Sequence, residues 1–300
     1  MSGPQCCENP PTLNPSSGVG HVEQIGGLNS YVSGSPQSNP AVLLVSDVFG
    51  YENPNLRKKA DKLAAAGFYV VVPDFFHGDP YNPDNVERPI QAWIQEHGTD
   101  KGYEEAKLVI EALKQKGISK IGAAGYCWGA KVVVQLGQGD YIQAAVLLHP
   151  SFVTVDDIKA VKVPIAVLGA EIDQRSPPEL VKQFEEVLKA KPEVDGLVKI
   201  FPGVAHGWSV RYDPQDLAAV KSAEEAYQDT SVIGKVVDRH SGTVVDVMTS
   251  GKNRWGRCYY KRQWWGERGG CLCVMGGKLD DSGVGKVTHV GDWTKYIVLK

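Results

Sequence analysis

Gly125-Tyr126-Cys127-Trp128-Gly129 closes an apolar run and opens an amphipathic one within Ile121 to Gln135, IGAAGYCWGAKVVVQ. A nucleophile carried on a sharp strand-to-helix turn needs glycine two residues before and two after it, because the strand and helix backbones approach too closely there for a Cβ. Cys127, at the start of that helix, would sit where unpaired N–H groups and the helix dipole favour a thiolate. A small buried cysteine packed between strand and helix is the plain alternative that the pentapeptide alone leaves open. Two later stretches offer partners. Asp173 follows the apolar run Val163 to Leu168, and His206 lies in the glycine-flanked loop Pro202 to Gly207, just past Leu197 to Phe201. A thiol with a pKa near ~8.5 is mostly protonated at neutral pH, so a histidine must take its proton and an acid must hold that histidine's tautomer. Each partner also has a structural reading: Asp173 as the start of a loop or helix, His206 as a loop histidine bonded to backbone.

Elements at regular spacing must position these groups. Ala41 to Val45 (AVLLV) is apolar throughout, as expected of a central strand covered on both faces, Tyr69 to Val72 and Ala144 to Leu148 read the same way, and Ile118 to Ala124 leads into the elbow. Gly26 to Val32 reads as a hairpin strand. Helices are expected over Leu56 to Ala66, capped by Gly67, over Glu104 to Lys116 and over Glu179 to Lys189. Asp213-Pro214 reads as a further helix start, followed by Leu217, Val220 and Tyr227 at helical spacing. Strands alternating with helices predict an α/β fold, a mostly parallel central sheet with helices on both faces, whose catalytic groups gather at the carboxyl ends of the strands. The chain order nucleophile, acid, base is that of the α/β-hydrolase arrangement.

From about Gly18 to Asp229 the chain resembles the dienelactone hydrolases, the carboxymethylenebutenolidase family, and its plant members in particular. The resemblance rests on Asp47-Val48-Phe49-Gly50, Ala66-Gly67-Phe68, Val72-Pro73-Asp74, the Gly-Tyr-Cys-Trp-Gly elbow, Asp173 and Ala205-His206-Gly207-Trp208. It implies a Cys127, His206, Asp173 triad, an oxyanion hole from the backbone N–H groups of Val48 and Trp128, and hydrolysis of a lactone or small ester. It implies further that Asp47 stands where bacterial members carry a glutamate that helps to ionise the cysteine, one methylene shorter here. Arg211 matches an arginine that holds an anionic substrate, and Arg88 is a candidate for a second. Plant relatives also carry glucanase-type descriptions, but glycoside hydrolysis normally uses two carboxyls across a sugar ring, and the elbow offers a thiol.

The rest of the composition bounds the reading. With 300 residues and a net charge of −3, the chain has core enough for a large domain and no global attraction to nucleic acid or membrane. No cofactor and no metal are expected. The expected partner is a small lactone or ester, with the protein a monomer or homodimer in the cytoplasm. Residues 1–18, rich in Pro, Ser and Asn, read as a flexible segment without the basic and apolar regions of a secretory signal. Residues 19–229 form the hydrolase-like domain. Residues 230–291 change character, with ten Lys or Arg against five Asp or Glu and three of the seven tryptophans, and read as a basic, poorly ordered insertion. Residues 292–300 would complete the interrupted C-terminal helix. Lys252 to Arg268 could present a single-stranded nucleic-acid surface, and Cys258, Cys271 and Cys273 could bind zinc, but the favoured reading is sequence without an evolved module, such as translated intron. A non-catalytic binding protein that keeps the pocket is the alternative for the whole chain.

Overall fold

The computed structural model describes residues 7–230 and, beyond them, residues 249–252, 258–261, 263–265 and 271–273. The first strands, β1 (His21–Ile25) and β2 (Leu28–Ser33), form a hairpin whose two turn residues, Gly26 and Gly27, both have positive φ. That is the backbone a two-residue hairpin turn requires. Then β3 (Ala41–Val45), α1 (Pro54–Ala65), β4 (Tyr69–Pro73), α2 (Ile90–Glu96), α3 (Thr99–Gln115), β5 (Ile121–Tyr126), α4 (Trp128–Leu136), β6 (Ala144–Leu148), α5 (Val155–Ala160), β7 (Ile165–Ile172), α6 (Pro178–Lys189), β8 (Gly196–Ala205) and α7 (Leu217–Thr230) follow. The eight strands make one sheet in the order β1-β2-β4-β3-β5-β6-β7-β8. Pairings with β2 are antiparallel and all others parallel.

Alternation along the central strands divides the core between two faces. Val42, Leu44, Ala124, Val146 and Leu168 pack with Leu56, Ala60 and Leu63 of α1 and Ala226 of α7. Their neighbours Leu43, Val45, Ala123, Leu147 and Val167 pack with residues of α3 to α6, among them Val109, Val133, Ile158 and Phe184. This two-sided burial is why the strands are apolar without interruption.

Several features differ from the sequence expectation, among them α5, for which it has no counterpart, and β8, which runs on through Pro202 to Ala205 where a loop is expected. The helix α2, which carries buried Ile90 and Trp93, is too short for its periodicity to stand out. The last helix begins at Leu217, and Asp213-Pro214 forms a turn before it, with Asp216 N–H donating to the Asp213 carbonyl at 3.0 Å. The cap is Asp216, whose Oδ1 accepts from the N–H groups of Ala218 and Ala219 at 2.9 and 3.1 Å. Residues from Cys7 onward, expected to be loose, make specific contacts. Arg57, held between the rings of Tyr31 and Tyr51, donates to the carbonyls of Pro15 and Ser17, and Leu13 packs against the core.

The chain divides into two compact units, residues 1–237 and residues 238–300. Within the latter, β9 (Thr249–Lys252) pairs antiparallel with β10 (Cys258–Lys261), and β11 (Gln263–Trp265) with β12 (Cys271–Cys273). Cys258 therefore lies on β10, and Cys271 and Cys273 on β12. The helix end expected at 292–300, and the rest of the insertion expected over 230–291 beyond Thr230 and these strands, lie outside the described residues. Among the described residues no helix is long and apolar enough to cross a membrane.

Candidate active site

Cys127 is the first residue after β5 and the N-cap of α4, with φ 51° and ψ −107°. A non-glycine residue held in that region stores strain, which persists only where the surroundings enforce it. They do: a Cβ on Gly125 would lie 2.2 Å from the Gly129 carbonyl oxygen, and one on Gly129 would lie 2.2 Å from that of Val45. The elbow is also tied to β6, since Cys127 N–H donates to the Leu148 carbonyl at 3.1 Å. Its side chain is fully buried.

Asp173 and His206 are likewise the first residues past β7 and β8, and parallel pairing of those strands brings them together. His206 Nδ1 is 2.8 Å from Asp173 Oδ2, with both side chains fully buried. Asp173 Oδ1 accepts from the N–H groups of Arg175 and Ser176, so an Asx turn fixes the carboxylate. Burial works against a charged His206 ring, but the negative charge of Cys127 and the hydrogen bond to Asp173 outweigh it and lift its pKa to about 9. The three groups from separate strand ends thus form one electrostatic unit.

Val48 follows β3 by three residues and is fully buried. Trp128 opens α4, so its N–H has no acceptor within the helix. Trp128 also donates its indole N–H to the His97 carbonyl at 2.9 Å and sits in an aromatic group with Phe75 and Phe76. Asp47 and Arg211 form a buried ion pair, Nε to Oδ2, at 2.7 Å. Asp47 Oδ1 accepts from Phe49 N–H, and Arg211 Nη1 donates to the Glu8 carbonyl. Arg88 is engaged by the carboxylates of Asp79 and Glu96, a group that also includes His97.

Two residues near the cysteine were not singled out in the sequence, His149 and Ser151. Both belong to His149-Pro150-Ser151, which directly follows β6, and polar residues just past a parallel strand were the available signal. Ser151 Oγ lies 3.3 Å from Cys127 Sγ. His149 Nε2 lies 3.0 Å from Ser209 Oγ, and its ring meets those of His206 and Trp208 edge to face. Burial, reinforced by the positive charges of His206 and Arg211, lowers the His149 pKa well below its ordinary value, so this ring is neutral beside a charged one. An open cleft of about 970 Å³ reaches His206 and Arg211 between the N-terminal segment at Asn9 to Thr12, Asn53 and Trp208.

A family model, the dienelactone hydrolase family, matches residues 28–233. The chain belongs to the dienelactone hydrolase family. Membership places it among hydrolases of carboxylic esters and lactones, on the α/β-hydrolase fold that the sheet order and crossovers describe. Among curated relatives, the carboxymethylenebutenolidase homolog of Xenopus tropicalis is 34% identical over 215 residues, covering 69% of this chain and 87% of that protein. A maize protein named endo-1,3;1,4-beta-D-glucanase is 45% identical over 197 residues, and the match spans 63% of each chain. Of solved structures, a dienelactone hydrolase-like promiscuous phosphotriesterase from metagenomic libraries superposes with a TM-score of 0.56 at 18% identity, over 72% of this chain and 96% of that one. At that identity the likeness speaks for the fold alone.

Proposed function

We propose that this dienelactone hydrolase family member opens a small lactone or carboxylic ester through a Cys127 thioester. The observation that carries the reading is the buried His206–Asp173 pair, whose charge is coupled to a cysteine on a strained elbow. Asp173 accepts from His206 Nδ1–H, which leaves Nε2 to take the proton of Cys127 Sγ. The thiolate attacks the carbonyl carbon, and the backbone N–H groups of Val48 and Trp128 receive the developing oxyanion. Collapse breaks the ester C–O bond, and the His206 imidazolium protonates the departing alkoxide, which in a lactone remains part of the same molecule. Water, deprotonated by His206, then cleaves the thioester, releasing the acid and restoring the thiol. Arg211, which lines the cleft beside His206, is the group that would meet an anionic substrate. A nucleophilic thiol suits a reducing compartment such as the cytosol.

Labelling with a small thiol-reactive lactone, with mapping of the adduct, tests this reading. Adduct on Cys127 is expected, with turnover lost in Cys127→Ala, mostly lost in Cys127→Ser, and lowered by a factor of ~100 or more in His206→Gln. Turnover near the wild-type rate in Cys127→Ala would exclude the elbow as the site. No turnover of any ester by a well-folded wild type would favour a binding protein, or an adaptor using residues 252–268.

The maize relative's name raises glucan hydrolysis as a second reading. Glycosidases place two carboxyl groups across the sugar ring. Here the carboxylates of Asp173 and Asp47 are held by His206 and Arg211. Release of reducing sugar from a mixed-linkage glucan that survives in Cys127→Ala would support the glucanase reading against the esterase one.

A further inference from the structure

The hydroxyl of Ser151, the second polar residue past β6, is 1% exposed and 3.3 Å from Cys127 Sγ. Among the described residues it has no other hydrogen-bond partner. Its position is built. Ser151 N–H donates to the Cys127 carbonyl at 3.0 Å, and Cys127 N–H donates to Leu148 at the end of β6, so residues 148–151 are laced to the elbow from both sides. The residues around it are strained, His149 with φ 36° and Phe152 with φ 63°, and side chains other than glycine are held that way only where the surroundings enforce it. The acid nearest in type cannot take this place: both oxygens of Asp47 are engaged, one by Arg211 and one by Phe49 N–H.

We infer that Ser151 is a further catalytic residue, whose hydroxyl donates a hydrogen bond to the Cys127 sulfur and holds it as a thiolate beside protonated His206. The inference rests on the reading of Cys127 as the nucleophile. In the resting step one proton passes from Cys127 Sγ to His206 Nε2, giving thiolate and imidazolium. Ser151 keeps its own proton throughout and only orients it toward sulfur. A hydrogen bond to the charged form favours that form, and the burial of both Cys127 and Ser151 strengthens it. When the thioester forms, sulfur loses its negative charge, so the bond to Ser151 weakens. The hydroxyl therefore stabilises the attacking thiolate and the leaving thiolate more than the acyl-enzyme, which sets its effect on both acylation and thioester hydrolysis.

The test is the pH profile of Cys127 alkylation by iodoacetamide in the full-length protein, with thiolate absorbance in the ultraviolet as a second readout. In Ser151→Ala the alkylation midpoint should rise by about one pH unit, roughly a tenfold loss of rate on the acid side. Ser151→Thr, which retains the hydroxyl, should return the midpoint toward the wild-type value. Should alanine leave the protein unfolded, Ser151→Gly removes the same hydroxyl and is read in the same way. An unchanged midpoint in a folded variant lacking the hydroxyl overturns the inference. Failure of the underlying reading looks different: wild-type protein would then keep its ester turnover after Cys127 is fully alkylated.

Discussion

Arg211 Nε and Asp47 Oδ2 meet at 2.7 Å with both side chains 1% exposed, although the two residues are 164 positions apart. The guanidinium carbon also lies 5.0 Å from the centre of the Phe49 ring. The arginine singled out for substrate charge is therefore also the counter-ion of the acid singled out for tuning the nucleophile. Removing one member of a buried pair leaves the other uncompensated, which typically costs about 3–5 kcal/mol. Arg211→Ala is expected to lose stability on that scale and to raise KM for carboxylate-bearing lactones more than for neutral esters. Denaturant melts alongside kinetics on both substrate classes check this. Equal losses on both classes, tracking the loss of stability, would reduce Arg211 to a structural role.

The buried amine of Lys59 gives a pH signature unrelated to catalysis. Its Nζ donates to the Ala223 carbonyl at 3.1 Å, tying α1 to α7, and burial lowers its pKa to about 7, with Lys62 and Lys58 adding to the shift and Glu224 opposing it. The unfolded chain binds this proton up to about pH 10.4, so between there and pH 7 it holds more protons than the folded one. Stability referred to this group must then rise with pH across that window. His206, raised to about 9, acts with the opposite sign: its contribution is complete below its unfolded value and is lost as pH rises through about 9. Comparing wild type with Lys59→Met cancels the histidine. From pH 7.5 to 9.5 the wild type should gain about 2 kcal/mol relative to the variant. Parallel stability curves would mean that Lys59 is charged in the folded state.

The segment at Asn9 to Thr12 walls the cleft, and the Glu8 carbonyl touches Arg211. Deleting residues 1–12 should leave the core anchor Leu13 in place and widen the entrance. Bulky esters should then gain in kcat/KM relative to small ones, measured across a series of acyl lengths. An unchanged ratio along the series would show that the segment does not shape substrate choice.

The basic segment after α7 is proposed to be dispensable. The family match ends at residue 233 and α7 at Thr230. Joining Asp229 to Asp292 should preserve ester turnover and leave the melting temperature the same or higher, since every candidate catalytic group lies upstream and a long insertion adds little closure entropy. A shortened protein that fails to fold or loses activity would make residues 230–291 an integral part of the domain.

Features that depend on near neighbours in the chain could be read without coordinates. The elbow was legible because its glycines sit two residues to either side of Cys127, where the turn would otherwise clash. The strands were legible because burial on both faces leaves no polar positions in Ala41–Val45 or Ala144–Leu148. Asp173 and His206 could be picked out because each lies within a few residues of an apolar run, although the strands themselves run on to Ile172 and Ala205. Tertiary structure decided everything that depends on which strands lie side by side. The β5–β6 register brings Ser151 to Cys127 across 24 residues of chain, and no local pattern encodes that distance. Folding also joined Arg211 to Asp47, turned the N-terminal segment onto the cleft, and moved the last helix start from Asp213 to Leu217. The physical reason is the same in each case: periodicity and turn chemistry act over a few residues, whereas hydrogen bonds and ion pairs form between whatever the packed sheet brings within about 3 Å.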